Sequence, residues 1–257
     1  MTLDQVQAYL DRIGCPKPES VSVESLRKLT RAHLETVPFE NLLIVVEGGV
    51  PSLEPEDLYR KVVENHRGGW CFELNKIFYL LLKALGYECY PVPVRVLGRG
   101  EPAAISHRGT VVLLEGQRWY VDVGFGGMGP KGIINMEDSG IQTIVGEHFR
   151  AAWEGENCVI IRVEPDKEMR MLSVWDREWL ECDYEFWNGF FALCPGTPFH
   201  TKRISHMCTP TGWINMVDME VTVFDNGETT VRQFSGEEEQ RRYVAEQFKM
   251  RLPQWEA

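Results

Sequence analysis

The chain has 257 residues, 44% hydrophobic and 25% charged, enough for one large domain or two to three small ones around a packed core. A formal net charge of -11 repels phosphate backbones and speaks against broad nucleic-acid binding, though not against one anionic ligand held by local cations. No apolar run approaches the ~18 residues of a membrane span. The opening MTLDQVQAYLDRIG lacks the basic start and apolar run of a signal peptide, so the expected location is the cytoplasm.

In chain order, Thr2 to Gln5 forms a capping-box pattern, and Leu3, Val6, Leu10 and Ile13 follow at helical spacing up to Gly14. A second helix is expected over 22–36, ending before Pro38. A third is expected from Pro55, with Leu58, Tyr59, Val62 and Val63 on one face. Gly68 and Gly69 break the chain. A fourth helix then starts near Trp70 or Cys71, carrying Leu74, Ile77, Phe78, Leu81, Leu82 and Leu85 as a wide apolar face until Gly86.

The period then changes. Strands are expected over 88–97, 110–114 and 119–123, the last two joined by a turn in 115–118, with more at 158–163 and 169–175. The middle third reads as a β-barrel or sandwich. Segments 219–224 and 229–234 flank Asp225-Asn226-Gly227, a strong hairpin signal. Ser235 to Glu238 forms another capping box, opening a last helix through Val244 and Phe248. Helices, then strands, then a mixed end give an α+β class in three regions, 1–86, 87–190 and 191–257.

The seven cysteines are unevenly spaced and include no CxxC pair, which argues against a disulfide framework. His200, His206 and Cys208 match no strong metal pattern, and no metal is expected. Cys71 differs from the other cysteines in its setting. In Arg67-Gly68-Gly69-Trp70-Cys71-Phe72-Glu73-Leu74-Asn75 it sits at a helix start. Free N–H groups and the helix dipole favour a thiolate there, and can stabilise a tetrahedral oxyanion. The plain alternative is a cysteine that only packs.

A thiol nucleophile needs a base and an orienting group. Of six histidines, His107 lies just before the strand at Thr110, and Asp122 lies in the return strand between Val121 and Val123. A two-residue turn at Gly116-Gln117 would pair Val111 with Asp122 and His107 with Gly126. That puts both side chains on one face but four residues apart along the strands, roughly 13 Å. A bulge, bend or longer loop would have to close the gap, so spacing alone does not establish a triad.

These motifs resemble those of the arylamine N-acetyltransferase family. RGGWCFELN at 67–75 resembles its active-site cysteine motif, and Pro38-Phe39-Glu40-Asn41-Leu42 its upstream segment. Ser106-His107 before a strand, and Val121-Asp122-Val123-Gly124-Phe125-Gly126, resemble its histidine and aspartate motifs. The C-terminal third matches more loosely.

The resemblance implies an N-terminal helical bundle, a central β-barrel and a C-terminal α/β lid around a cysteine-protease-like core. It implies Cys71 as acyl-accepting nucleophile, His107 as base and Asp122 as its orienting partner. Glu40 and Arg67 would form a structural ion pair near the site, and Phe125, with Phe39, would wall an aromatic-amine pocket. The implied acyl donor is acetyl-CoA, and the implied acceptor a small aromatic amine or hydrazine.

Gly124 to Gly129 fits GxGxxG, but Pro130 and Gly132 oppose the helix that a dinucleotide site requires. A loop at Gly126 and Gly127 that admits a pantetheine arm is the reading the resemblance favours. Lys131, Lys202 and Arg203 are candidate cations for CoA, against the alternative of solvated surface charge. A cysteine hydrolase, an amide synthase of the same family and a non-catalytic binding protein are the alternatives.

Overall fold

Val6, Tyr9, Leu10 and Ile13 are all buried on one side of helix α1 (Leu3–Ile13) in the computed structural model, which describes residues 1–98, 100–127 and 129–251. Thr2 Oγ1 accepts the Gln5 N–H and Gln5 Oε1 accepts the Thr2 N–H, closing the expected capping box, and Gly14 ends the helix at φ 64°. Helix α2 (Val23–Thr36) follows, then the two-residue strand β1 (Phe39–Glu40) and the short helix α3 (Leu42–Val45). The third expected helix is α4 (Pro55–Tyr59), continued by a wide π-turn over Arg60–Glu64. Helix α5 (Cys71–Ala84) is the centre of the bundle, with Leu74, Ile77, Phe78, Leu81 and Leu82 buried.

The middle region is an eight-stranded antiparallel sheet. In chain order its strands are β2 (Glu88–Val96), β3 (Ile105–Leu114), β4 (Gln117–Val121), β5 (Ile134–Asn135), β6 (Gln142–Ile144), β7 (Glu147–Glu154), β8 (Asn157–Glu164) and β9 (Lys167–Trp175). Their spatial order is β5-β4-β3-β2-β9-β8-β7-β6. The sheet curls into a nearly closed barrel. Gln142 joins its edges, donating from Nε2 to the Asn135 carbonyl and accepting the Asn135 N–H at Oε1, both at 2.8 Å.

Helix α6 (Glu181–Leu193), which the sequence pattern did not announce, lies across the bundle and is pinned by Trp70 Nε1 donating to Asn188 Oδ1 at 3.0 Å. The boundary read at 190 falls inside this helix. After α7 (Pro198–Thr201) come β10 (Ile204–Thr209), β11 (Gly212–Val217), β12 (Glu220–Asp225) and β13 (Glu228–Gln233). They form an antiparallel meander whose inner edge pairs with β1, so the first region lends a strand to the last. The expected hairpin turns at Asn226-Gly227, both at positive φ. Helix α8 (Glu237–Gln247) packs Val244 on this sheet. Its N-cap is Gly236 rather than Ser235, whose N–H and hydroxyl both reach Glu239 instead of Glu238. The architecture is thus the expected helical bundle, barrel and α/β lid. The last six residues of the region read as 191–257 lie outside the described residues.

Candidate active site

The segment before Cys71 is built around two close backbone approaches. A Cβ on Gly68 would stand 2.2 Å from the Pro38 carbonyl oxygen, and one on Gly69 2.9 Å from Glu73 Oε2. Without side chains, the loop lies flat on β1, the Glu40 N–H donating to the Gly69 carbonyl at 2.8 Å. Glu73 turns back to accept the Trp70 N–H at 3.1 Å, which fixes the first turn of α5. Cys71 therefore enters the site as the first residue of a buried helix.

A charge network lies beneath that turn. Arg67 Nη2 donates to Glu40 Oε1 at 3.1 Å and Arg67 Nη1 to Glu47 at 3.0 Å. Lys61, carried inward by the π-turn, donates to Glu73 at 2.7 Å. Burial pushes both carboxyls up, but Lys61 and Arg67 outweigh it at Glu40, whose proton affinity ends below the ordinary value. At Glu73 burial wins and holds the group above it. The Glu40–Arg67 pair is where the sequence placed it; Lys61 and Glu73 were not anticipated.

The strand register differs from the expected one, and the difference matters. The two-residue turn is Glu115-Gly116, both at positive φ, so Leu114 pairs with Gln117 and Val111 with Tyr120, not with Asp122. Carried on, this register sets His107 opposite Gly124 and Asp122 opposite Gly109. The stagger is two residues, roughly 7 Å, rather than four. Diagonal neighbours on one face reach each other without a bulge between them. His107 Nε2 and Asp122 Oδ2 stand 2.6 Å apart. The other ring nitrogen is left for Cys71, whose sulfur lies close enough to raise the proton affinity of His107 further.

Asp122 is fully coordinated. Its Oδ1 accepts Asn75 Nδ2 at 2.9 Å and the Gly124 N–H at 3.0 Å; its Oδ2 accepts the Tyr120 hydroxyl at 2.9 Å besides His107. Asn75, one turn along α5 from Cys71, accepts the Val123 N–H at Oδ1 and so ties the helix to the strand. Cys71, His107 and Asp122 are 5%, 3% and 1% exposed. Burial alone would lower the proton affinity of His107, but Asp122 overrides it and lifts the imidazole to about 10. Burial would raise Asp122, but His107 and the hydrogen bonds hold it below the ordinary carboxylate range.

This coupling gives the pair a pH window. Protonated His107 contributes stability fully below its ordinary 6.5 and loses it as pH rises through about 10. Ionised Asp122 contributes above the ordinary carboxylate range and loses it as pH falls. In urea unfolding, the stability gap between wild type and His107→Gln should be widest between these ranges and narrow steadily on the alkaline side.

With Asp122 behind the imidazole, Cys71 and His107 open onto a cavity of about 510 Å³. Phe39, Phe125, Gly126 and Gly127 line it as expected, together with Phe191, Phe199, Met169, Met171 and Val96, which were not anticipated. The Phe125 ring stands edge-on to His107 at 5.4 Å between centroids. A Cβ on Gly126 would strike the Phe39 ring at 2.4 Å. The GxGxxG segment, whose Met128 lies outside the described residues, leads into β5 rather than a helix.

Lys131, Lys202 and Arg203 are not brought to the cavity wall. Lys131 fits neither the CoA reading nor the surface-charge alternative: it is buried, donates to Glu147 at 2.7 Å and lies over the Trp213 ring. A buried ammonium committed to a partly buried carboxylate is no free phosphate ligand. Arg203 donates to Glu237 and Gln240, and Lys202 is exposed. Among the described residues no group of three or more His, Cys, Asp or Glu side chains could hold a metal ion, and no helix is long and apolar enough to cross a membrane.

A buried thiol at a helix start, beside an imidazole that a carboxylate orients, is the arrangement of an acyl-transferring thiol enzyme. The N-acetyltransferase family pattern matches residues 22–256, and the chain belongs to the arylamine N-acetyltransferase family. It is 29% identical over 223 residues to the arylamine N-acetyltransferase of Escherichia coli, covering 85% of this chain and 79% of that one. It is 26% identical over 256 residues to the proansamycin X synthase of Amycolatopsis mediterranei, covering 95% and 97%. The arylamine N-acetyltransferase of Mycobacterium marinum, solved in complex with CoA, superposes with a TM-score of 0.89 at 25% identity over 95% of this chain and 92% of that one. The protein is an N-acetyltransferase in fold and family.

Proposed function

We propose that the protein moves an acetyl group from acetyl-CoA to the nitrogen of an arylamine, hydrazine or arylhydroxylamine by a ping-pong route through acetyl-Cys71. The observation that carries this reading is that Cys71 and His107 line one apolar cavity, with Asp122 held against the far side of the imidazole. His107, with its proton affinity lifted to about 10, takes the thiol proton. The Cys71 sulfur attacks the thioester carbonyl, the carbon–sulfur bond to CoA breaks, and His107 returns a proton to the departing thiolate. The amine then attacks acetyl-Cys71, His107 takes its proton as the N–C bond forms, and the Cys71 sulfur leaves. Phe39, Phe125, Phe191 and Phe199 would seat an aromatic ring and discourage water.

CoA use is supported by the Mycobacterium marinum relative, solved in complex with it. A second reading has Cys71 carry a longer acyl chain. It is favoured by a cavity far larger than an acetyl group and by the full-length match to a synthase.

One experiment separates the two: intact-protein mass spectrometry after brief exposure to acetyl-CoA without amine. The expected result is a single added acetyl group that an arylamine discharges. No adduct from acetyl-CoA, with one from a longer acyl thioester, would transfer the case to the second reading. No adduct from either would overturn both.

A further inference from the structure

The carboxylate of Asp122 has a partner that the proposed reaction does not explain. Tyr120 precedes it by two residues on β4, so both side chains leave the same face of the sheet. That face also carries His107, Gly109 and Val111 of β3, with Val111 paired directly to Tyr120. The phenol therefore has to lean along the sheet, over position 109, to reach Asp122. It can do so only because nothing stands there: a Cβ on Gly109 would lie 2.4 Å from Tyr120 Cε2 and 2.8 Å from its hydroxyl oxygen. Tyr120 is fully buried, and its hydroxyl donates to the same oxygen, Oδ2, that receives His107 Nε2.

We infer that Tyr120 is a positioning residue for the triad, its hydroxyl fixing the Asp122 carboxylate in the plane and charge state that orient His107, and that Gly109 is the gap in the sheet that admits it. The inference rests on Cys71 and His107 being the reacting pair. Its physical basis is the acceptor count. Ionised carboxylate oxygens offer about four acceptor sites, and Tyr120 supplies the fourth donor. With the hydroxyl present, Oδ2 is held between two donors and cannot swing away from the imidazole. The hydroxyl also stabilises the cluster more as it loses protons, so removing it makes each proton bind more tightly. The titratable groups facing this oxygen are His107 from β3 and the Tyr120 phenol from β4, with Cys71 of α5 and Tyr184 of α6 acting on the phenol from farther off. Burial, foremost, and then Asp122 keep the phenol protonated and donating.

The test is the pH dependence of Cys71 alkylation by iodoacetamide, read by peptide mass spectrometry so that exposed Cys182 does not interfere, together with steady-state acetyl transfer. In Tyr120→Phe, which keeps the ring, both the acid and the alkaline limb should move to higher pH by about 0.5–1. The kcat for transfer should fall about tenfold with KM for the amine unchanged, as expected for one lost hydrogen bond to a charged group. Replacing Tyr120 by 3-fluorotyrosine, nearly isosteric and a stronger donor, should move both limbs the other way, and decides the matter if Tyr120→Phe does not fold. Limbs that stay at their wild-type positions in the folded variant would overturn the inference, whatever the loss of rate, because a purely structural tyrosine changes rate without changing proton affinity. Were wild-type Cys71 itself to alkylate no faster than an ordinary thiol below neutral pH, the reacting-pair reading would fail first, and visibly so.

Discussion

Cys71→Ala should leave a folded protein whose kcat/KM for acetyl transfer is at least about 10⁴-fold lower, and which gains no acetyl group from the donor. The size of the effect follows from the chemistry. Of the described residues that line the cavity, Cys71 alone carries a thiol. The buried Cys89, Cys158 and Cys208 belong to the packed interior, and burial pushes their thiols up to about 12, about 12 and about 11. No bystander can take over the covalent step. The fold should survive, because cysteine to alanine at a packed site removes one small atom group, a cost on the order of 1 kcal/mol. Cys71→Ser should be nearly as inactive, since a hydroxyl does not yield its proton to the imidazole as a thiol does. Thermal melts close to wild type, beside an absent mass adduct, would be the expected pair of results. A Cys71→Ala protein that still transfers acetyl at more than a hundredth of the wild-type rate would remove the covalent route.

Several parts of this site were legible in the chain, for identifiable reasons. The start of α5 was readable because two adjacent glycines interrupt one helical pattern and a strongly apolar one begins at once. His107 and Asp122 could be placed on one face by parity, since a strand alternates strictly. Their separation could not be read correctly, because it depends on which two residues make the turn. Glu115 at φ 55° is a non-glycine in the left-handed region, and a reading that prefers glycine first shifts the turn by one residue and the register by two.

Other features had no local signal. Helix α6 is rich in aromatic residues of indifferent helix propensity and contains Gly189; its position is set by tertiary anchors such as Asn188 on Trp70 and the Arg108 guanidinium against the Tyr184 ring. Strand β10 hides Ser205 and His206 in the interior, which disguises the alternation that would announce it. Lys131 was read as a CoA cation or solvated surface charge because lysines are usually exposed, and the partly buried Glu147 that changes its fate lies on a strand the sequence did not reveal. Asn75 could have been found, since a residue four places after Cys71 on a helix returns to the same face.

Asp122→Asn should lower kcat by about 10³–10⁴ while the cavity keeps its shape. The carboxylate now accepts four donors, from Asn75, Gly124, Tyr120 and His107. An amide has one oxygen and one NH₂, so it can satisfy only one side of this cluster. If its oxygen keeps Asn75 and the Gly124 N–H, its nitrogen faces His107 Nε2, which must then accept. The imidazole proton moves to the nitrogen that meets Cys71, where it blocks uptake of the thiol proton. The charge that most lifts His107 is lost as well, which strengthens the hand of burial, the influence that lowers the imidazole. His107 then no longer accepts the thiol proton readily, and turnover comes to depend on solvent removing it. The variant's rate should therefore climb with pH more steeply than that of wild type, as hydroxide replaces the imidazole as proton acceptor. Asp122→Glu keeps the charge and four acceptor sites on a longer arm, and should recover part of the loss. Rates of the three proteins across pH, each checked by thermal melting, decide it. An Asp122→Asn enzyme with the wild-type pH profile would show that His107 needs neither the charge nor the tautomer that Asp122 imposes.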